Sequence, residues 1–185
     1  MIKQAHKEFA TTACPLNWFE VAKLLHENAQ TLYNSPHGHV IYSNGTVSKK
    51  RATINRSVFL LSAIALENLI KAYLVYENPS YTEGGRLSKK LLSHKLSSLQ
   101  EQCKKAPSPK RTQHVFKTLE LGVNSWARYP CSTSIEQETL EGTVTPEFWD
   151  AYCKVFDLYS RKLEELLRKK WKGAYGEITY VEFHQ

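Results

Sequence analysis

The chain has 185 residues, 42% of them hydrophobic and 23% charged, with a formal net charge of +7 and a pI near 9.2. These proportions fit one soluble domain with a full-sized core. The four cysteines, Cys14, Cys103, Cys131 and Cys153, form no CxxC pair, which speaks against finger- or ribbon-type zinc. The most apolar run, Val58 to Leu66, is interrupted by Glu67 well short of the roughly 18 residues of a membrane span. With no signal peptide, the expected setting is a cytoplasm with reduced thiols.

In chain order, residues 1–13 read as a loosely held N-terminus. Pro15 suits a first helical turn, and Trp18, Val21, Leu25, Ala29 and Leu32 fall near helical spacing, so a helix is predicted to about Tyr33. Asn34 to Ser48 reads as a loop. Its His37-Gly-His39 can seat a metal only with a third ligand that the sequence does not place, so no metal or cofactor is implied. Asn44-Gly45 marks a turn, and Val40, Ile41, Tyr42 and Val47 allow a small hairpin around it.

After Lys49-Lys50-Arg51, residues Arg56 to Glu77 run for about six helical turns without Gly or Pro. Apolar side chains fall on every side of this stretch, the mark of a buried central helix. Glu67, Asn68 and Lys71 share one face of it, within about 100° of arc, and a polar group on such a helix needs partners. A loop with Pro79 and Gly84-Gly85 follows. A helix is predicted over Leu91 to Lys105, with Ser88 and Ser93 as alternative caps, and another over Lys110 to Asn124. The segment WARYPCSTS turns on Pro130. Glu136, Glu138 and Glu141 read as a solvated surface. Thr145-Pro146-Glu147 is a helix start, and the helix is expected to reach Trp171, burying Phe148, Tyr152, Val155, Phe156, Tyr159, Leu163 and Leu166. The tail EITYVEF reads as a short strand or an arm able to reach a neighbouring subunit. The expected fold is all-α, a single-domain bundle of four to five helices with a short C-terminal strand or arm.

Phosphate-loop, dinucleotide-binding, nucleophile-elbow and HExxH signatures are all absent from the sequence. The run FLLSAIALENLIKAYLVYE, followed by LSHKLSSL and WARYP, resembles the all-helical HEPN-like superfamily over roughly Arg56 to Pro130, about 40% of the chain. The resemblance implies a compact helical domain, usually dimeric. Many members are ribonucleases of toxin–antitoxin, anti-phage or CRISPR systems. The superfamily's ribonuclease pattern, an Arg and a His separated by four to six residues, has no counterpart here. Seven residues separate Arg86 from His94 and two separate Arg111 from His114.

In the resembling segments the polar residues are Glu67, Asn68, Lys71, His94, Arg128 and Tyr129. One reading makes Glu67, Lys71, His94 and Arg128 catalytic: His takes a 2′-hydroxyl proton while Lys or Arg stabilises charge on the phosphorane, with Asn68 and Tyr129 binding. The other makes the same residues a structural network pinning the RYP segment to the bundle. Lys49, Lys50, Arg51 and Arg86 head the basic clusters suited to RNA phosphates, although helix dipoles also favour cations at C-termini. Two functions stay open: an RNA-directed module, effector or accessory of a defence or toxin system, with RNA and an antitoxin protein as partners, or a non-catalytic helical protein acting through dimerisation.

Overall fold

The structure is a computed structural model that describes residues 2–46, 48–129 and 142–183. Pro130 and the acidic residues Glu136, Glu138 and Glu141 lie outside the described residues, as does Val47.

The protein is predominantly helical. Helix α1 spans Ile2–Thr12, α2 Pro15–Asn34, α3 Asn55–Glu77, α4 Leu96–Glu101, α5 Lys110–Val123 and α6 Pro146–Leu167, with 3₁₀ turns at Pro79–Gly85 and Lys89–Leu92. Strands β1 (His39–Ser43) and β2 (Ser48–Ala52) make one antiparallel hairpin, and β3 (Trp171–Lys172) and β4 (Ile178–Thr179) another.

Helix α3 is the centre. Leu66, Leu69, Ile70, Tyr73 and Leu74 are fully buried, and α2, α4, α5 and α6 pack around it. Its most apolar 18 residues have a mean hydropathy of 1.8, so by length and composition α3 is apolar enough to cross a membrane. The broken apolar run had suggested otherwise. In the fold, 72% of that stretch is buried against the rest of the chain.

Specific polar bonds fasten the ends of this mostly buried helix. At the start of α3 the Asn55 amide donates to Gly142 O at 2.6 Å and accepts from Val144 N at 2.9 Å. At its end the Glu77 carboxylate accepts the backbone amides of Lys104 and Lys105 at 2.7–3.0 Å. In mid-helix the Tyr73 hydroxyl donates to Tyr159 O of α6 at 2.6 Å.

Several elements differ from expectation. Residues 2–12 form α1 instead of a loosely held N-terminus. This helix buries only Ala10, rests on the Pro79–Gly85 turn, and is joined to α2 by Asn17 Nδ2 donating to Thr12 O at 2.8 Å. In α2 the buried stripe is Phe19, Ala22, His26 and Ala29, one residue round from the expected set, leaving Val21 exposed. The helix predicted over Leu91 to Lys105 is broken at Ser93: Ser88 caps the 3₁₀ turn, Ser93 is extended, and α4 starts from Lys95 with no side-chain cap. Ser88 Oγ accepts from Lys90 N and Ser93 Oγ from Lys95 N. Helix α6 starts at the expected Thr145 cap but ends at Leu167, since Trp171 turns into the β3–β4 hairpin. Its buried side chains are those expected, with Leu167 added and Phe148 only half-buried. The tail folds on its own chain: Val181 N donates to Leu167 O, and Phe183 meets Phe19 edge-on at 6.4 Å.

Helix α5 comes close to α3 at Gly122, where a Cβ would run into the Phe59 ring of α3 and come within 3.2 Å of Trp126. Gly122→Ala should therefore lose stability despite its better helix propensity, by about 1–3 kcal/mol of overpacking, read as a lower midpoint in urea unfolding.

Candidate functional site

The polar trio of α3 divides. Lys71 Nζ donates to Glu67 Oε1 at 2.6 Å, with the two side chains only 6% and 13% exposed. The same ammonium lies 5.7 Å from the ring centroid of Trp18 on α2, which covers it. Asn68 turns away, its amide donating to Ile64 O at 2.8 Å on its own helix.

His94 stands in the break between the Lys89–Leu92 turn and α4, and that break swings it onto Glu67. Its Nδ1 is 3.1 Å from both carboxylate oxygens. A carboxylate accepts, so Nδ1 carries a proton, and in the neutral ring Nε2 is then the nitrogen with the free lone pair. The ring is 58% exposed, and Nε2 has no hydrogen-bond partner among the described residues. The result is a graded row: a covered ammonium, a nearly covered carboxylate, and an imidazole whose distal nitrogen faces water. Such an arrangement fixes one tautomer and presents a base to a reactant arriving from solvent.

Arg128 does not join this row, which corrects the expectation that the segment after Trp126 closes over it. The Tyr129 carbonyl accepts from Arg56 Nη1 at 3.0 Å, in the first turn of α3, about 16 Å along the axis from Glu67 at 1.5 Å per residue. Arg128 is exposed there, its guanidinium 5.9 Å from the Tyr129 ring. Lys71 is likewise turned inward, with its charge spent on Glu67 instead of facing solvent. Arg86 is exposed at the end of the Pro79–Gly85 turn, and Lys50 and Arg51 are exposed on β2, where Lys49 also lies. His37 and His39 have ring centroids 5.8 Å apart, and no group of three or more His, Cys, Asp or Glu converges as a metal set among the described residues.

Trp18 was not singled out beyond the α2 stripe, and only the α2–α3 packing reveals it as the cover of Lys71. A second feature the sequence did not disclose is a cleft of about 450 Å³ between α2 and α6. Lys23, His26, Glu27, Asp157, Arg161 and Glu164 are among its walls. His26 is 7% exposed, stacked on Phe156 at 4.0 Å, with Nδ1 2.9 Å from the Tyr152 hydroxyl. Burial lowers its pKa below the ordinary value, against the smaller upward pull of Asp157 and Glu27. Nearby on α6, burial first and Asp157 second push the Cys153 thiol up to about 11, so it is protonated at neutral pH.

Comparison with protein-family models, with curated proteins and with solved structures gives no match.

Two expectations follow. Removing Glu67 leaves a covered ammonium without its counter-charge, so Glu67→Ala should lose about 3 kcal/mol in chemical unfolding, and adding Lys71→Met should recover part of that loss. Equal stability of the single and double variants would show that the pair carries no such strain. For His26, the unfolded chain takes up a proton near pH 6.5 while the buried ring does not. Stability is therefore complete above that pH and declines as pH falls toward the lowered folded value. The dependence of unfolding free energy on pH between 7 and 5 should be shallower in His26→Gln.

Proposed function

We propose that this chain is an RNA-directed module of the HEPN-like kind, a bundle of four to five helices that cleaves RNA with His94 as general base. The single observation that carries the reading is the Glu67–His94 pair, a solvent-facing imidazole held by a shielded carboxylate at 3.1 Å.

RNA suits such a site because it brings its own nucleophile. His94 Nε2 takes the 2′-hydroxyl proton, the 2′-oxygen attacks the adjacent phosphorus, and the bond to the 5′-oxygen breaks, that oxygen taking a proton from water. The products are a 2′,3′-cyclic phosphate and a 5′-hydroxyl. Glu67 holds the tautomer and stabilises the imidazolium as it forms. Lys71 positions Glu67. The net charge of +7 favours an anionic polymer as substrate. The Arg–His spacing usual in the superfamily is missing, and the carboxylate–imidazole pair takes its place in this mechanism.

The resemblance further assigns the module to a cytoplasmic toxin–antitoxin or anti-phage system, as effector or accessory, with a partner antitoxin protein and a second copy of itself. One observation favours the alternative of a non-catalytic dimerisation protein. Leu60 and Leu61 are only partly buried and Ile64 is exposed, an apolar stripe along α3 that no helix covers among the described residues.

Labelled total RNA separates the two. Wild-type protein should yield cyclic-phosphate ends, and His94→Ala should slow cleavage by roughly 10²–10⁴-fold, the usual contribution of a positioned base. Arg128→Ala, remote from His94, should cut at the wild-type rate once RNA is saturating. Cleavage by all three proteins alike would mark a contaminant, and intact RNA throughout would leave the dimerisation reading.

A further inference from the structure

The β1–β2 hairpin has no packing duty. All five residues of β1 are exposed, Ile41 at 67% and Tyr42 at 59%, and the two strands pair mainly with each other. Gly38 O closes the base by accepting from Thr53 N at 3.1 Å, two residues before α3 begins. A lone two-stranded ribbon is marginal in water, so nothing about folding explains why large apolar side chains sit on it.

The register explains what it offers. Tyr42 pairs with Lys49, Ile41 with Lys50 and Val40 with Arg51. Cross-strand partners share a face and residues two apart do too, so one face carries Tyr42 and Val40 with Arg51, and the other Ile41 with Lys50. Each face therefore sets a flat or greasy side chain beside a long cation. Both remaining strand edges adjoin this charge, and three consecutive cations on β2 oppose pairing with the same strand of a second copy. A polyanion with exposed planar groups meets both demands. Duplex RNA does not: its bases are stacked inside and its major groove is too narrow to admit a ribbon.

We propose that the β1–β2 hairpin grips single-stranded RNA that passes over both of its faces, with an unpaired base stacked on Tyr42 beside Arg51 and the backbone phosphates held by Arg51 on that face and by Lys50 on the other. This rests on the RNA-directed reading and names the form of RNA that the chain takes. The grip lies beside the start of α3, where Arg56 and the exposed Arg128 also sit, so the strand is held at one end of the central helix and presented to His94 further along it.

Fluorescence anisotropy of a labelled oligouridine and of an RNA duplex of equal length tests it, with the full chain at low and moderate salt. Wild type should bind the single strand more tightly than the duplex. Tyr42→Ala should weaken single-strand binding roughly tenfold or more, and Tyr42→Phe should leave it intact, because the ring does the stacking. Lys50→Glu with Arg51→Glu should weaken it further and flatten its salt dependence by roughly 1.4 in logarithmic slope, as the loss of two phosphate contacts requires. These variants should keep the wild-type melting temperature, since the hairpin lies outside the core. Single-strand binding unchanged in Tyr42→Ala and in the charge variant would overturn the grip and spare the RNA-directed reading. Tighter binding of the duplex would overturn it as well. Absence of any RNA binding by wild type would overturn both. Altered oligomeric mass in the variants with unchanged RNA affinity would make the hairpin a contact between copies.

Discussion

An ammonium group inside a helical core persists only beside a counter-charge, and the Lys71–Glu67 bond is where this protein meets that condition. The demand is local, but its satisfaction is not. Trp18 of α2 must lie over the ammonium, and the break before α4 must bring His94 to the other side of the carboxylate. Three separate elements are thus held in register by one charge. The gradient from covered lysine to exposed histidine also gives the row a direction, with the ion pair behind and solvent in front.

Under the proposed function, α3 separates two tasks. Around Glu67 lies the group able to move a proton. Around Asn55 and Arg56 lie the hairpin, Arg128 and Tyr129, with cations that water can reach. A rigid apolar helix suits this division because it keeps the two ends at fixed separation while neither disturbs the other's packing. Fastening by Asn55 at one end and Glu77 at the other keeps the rod from sliding against its neighbours.

Elements governed by local pattern were legible in the sequence. The Gly- and Pro-free stretch of α3 and the Thr145-Pro146 start of α6 both appear as read, and the Asn44-Gly45 turn closes the hairpin that its flanking residues allowed. Helix α1 was not legible, because it buries one residue and owes its place to the Pro79–Gly85 turn. The break at Ser93 was half legible: Ser88 acts as the cap it could be, but nothing local says that Ser93 takes an extended backbone between the 3₁₀ turn and α4. Grouping Glu67, Lys71 and His94 needed only helical spacing and the next element. Placing Arg128 needed the path of the chain past Trp126, and that is set by where Tyr129 meets Arg56. The cleft beside His26 arises from α2–α6 packing across more than a hundred residues of sequence, which no motif records.

The hairpin's isolation from the core has a consequence for how such a chain can change over generations. Substitutions in β1 or β2 disturb no buried neighbour, so mutation there is screened by what the ribbon touches and hardly at all by whether the protein still folds. If the hairpin grips RNA as proposed, β1 and β2 are therefore free to diverge in step with a changing target while α3 is held by its packing.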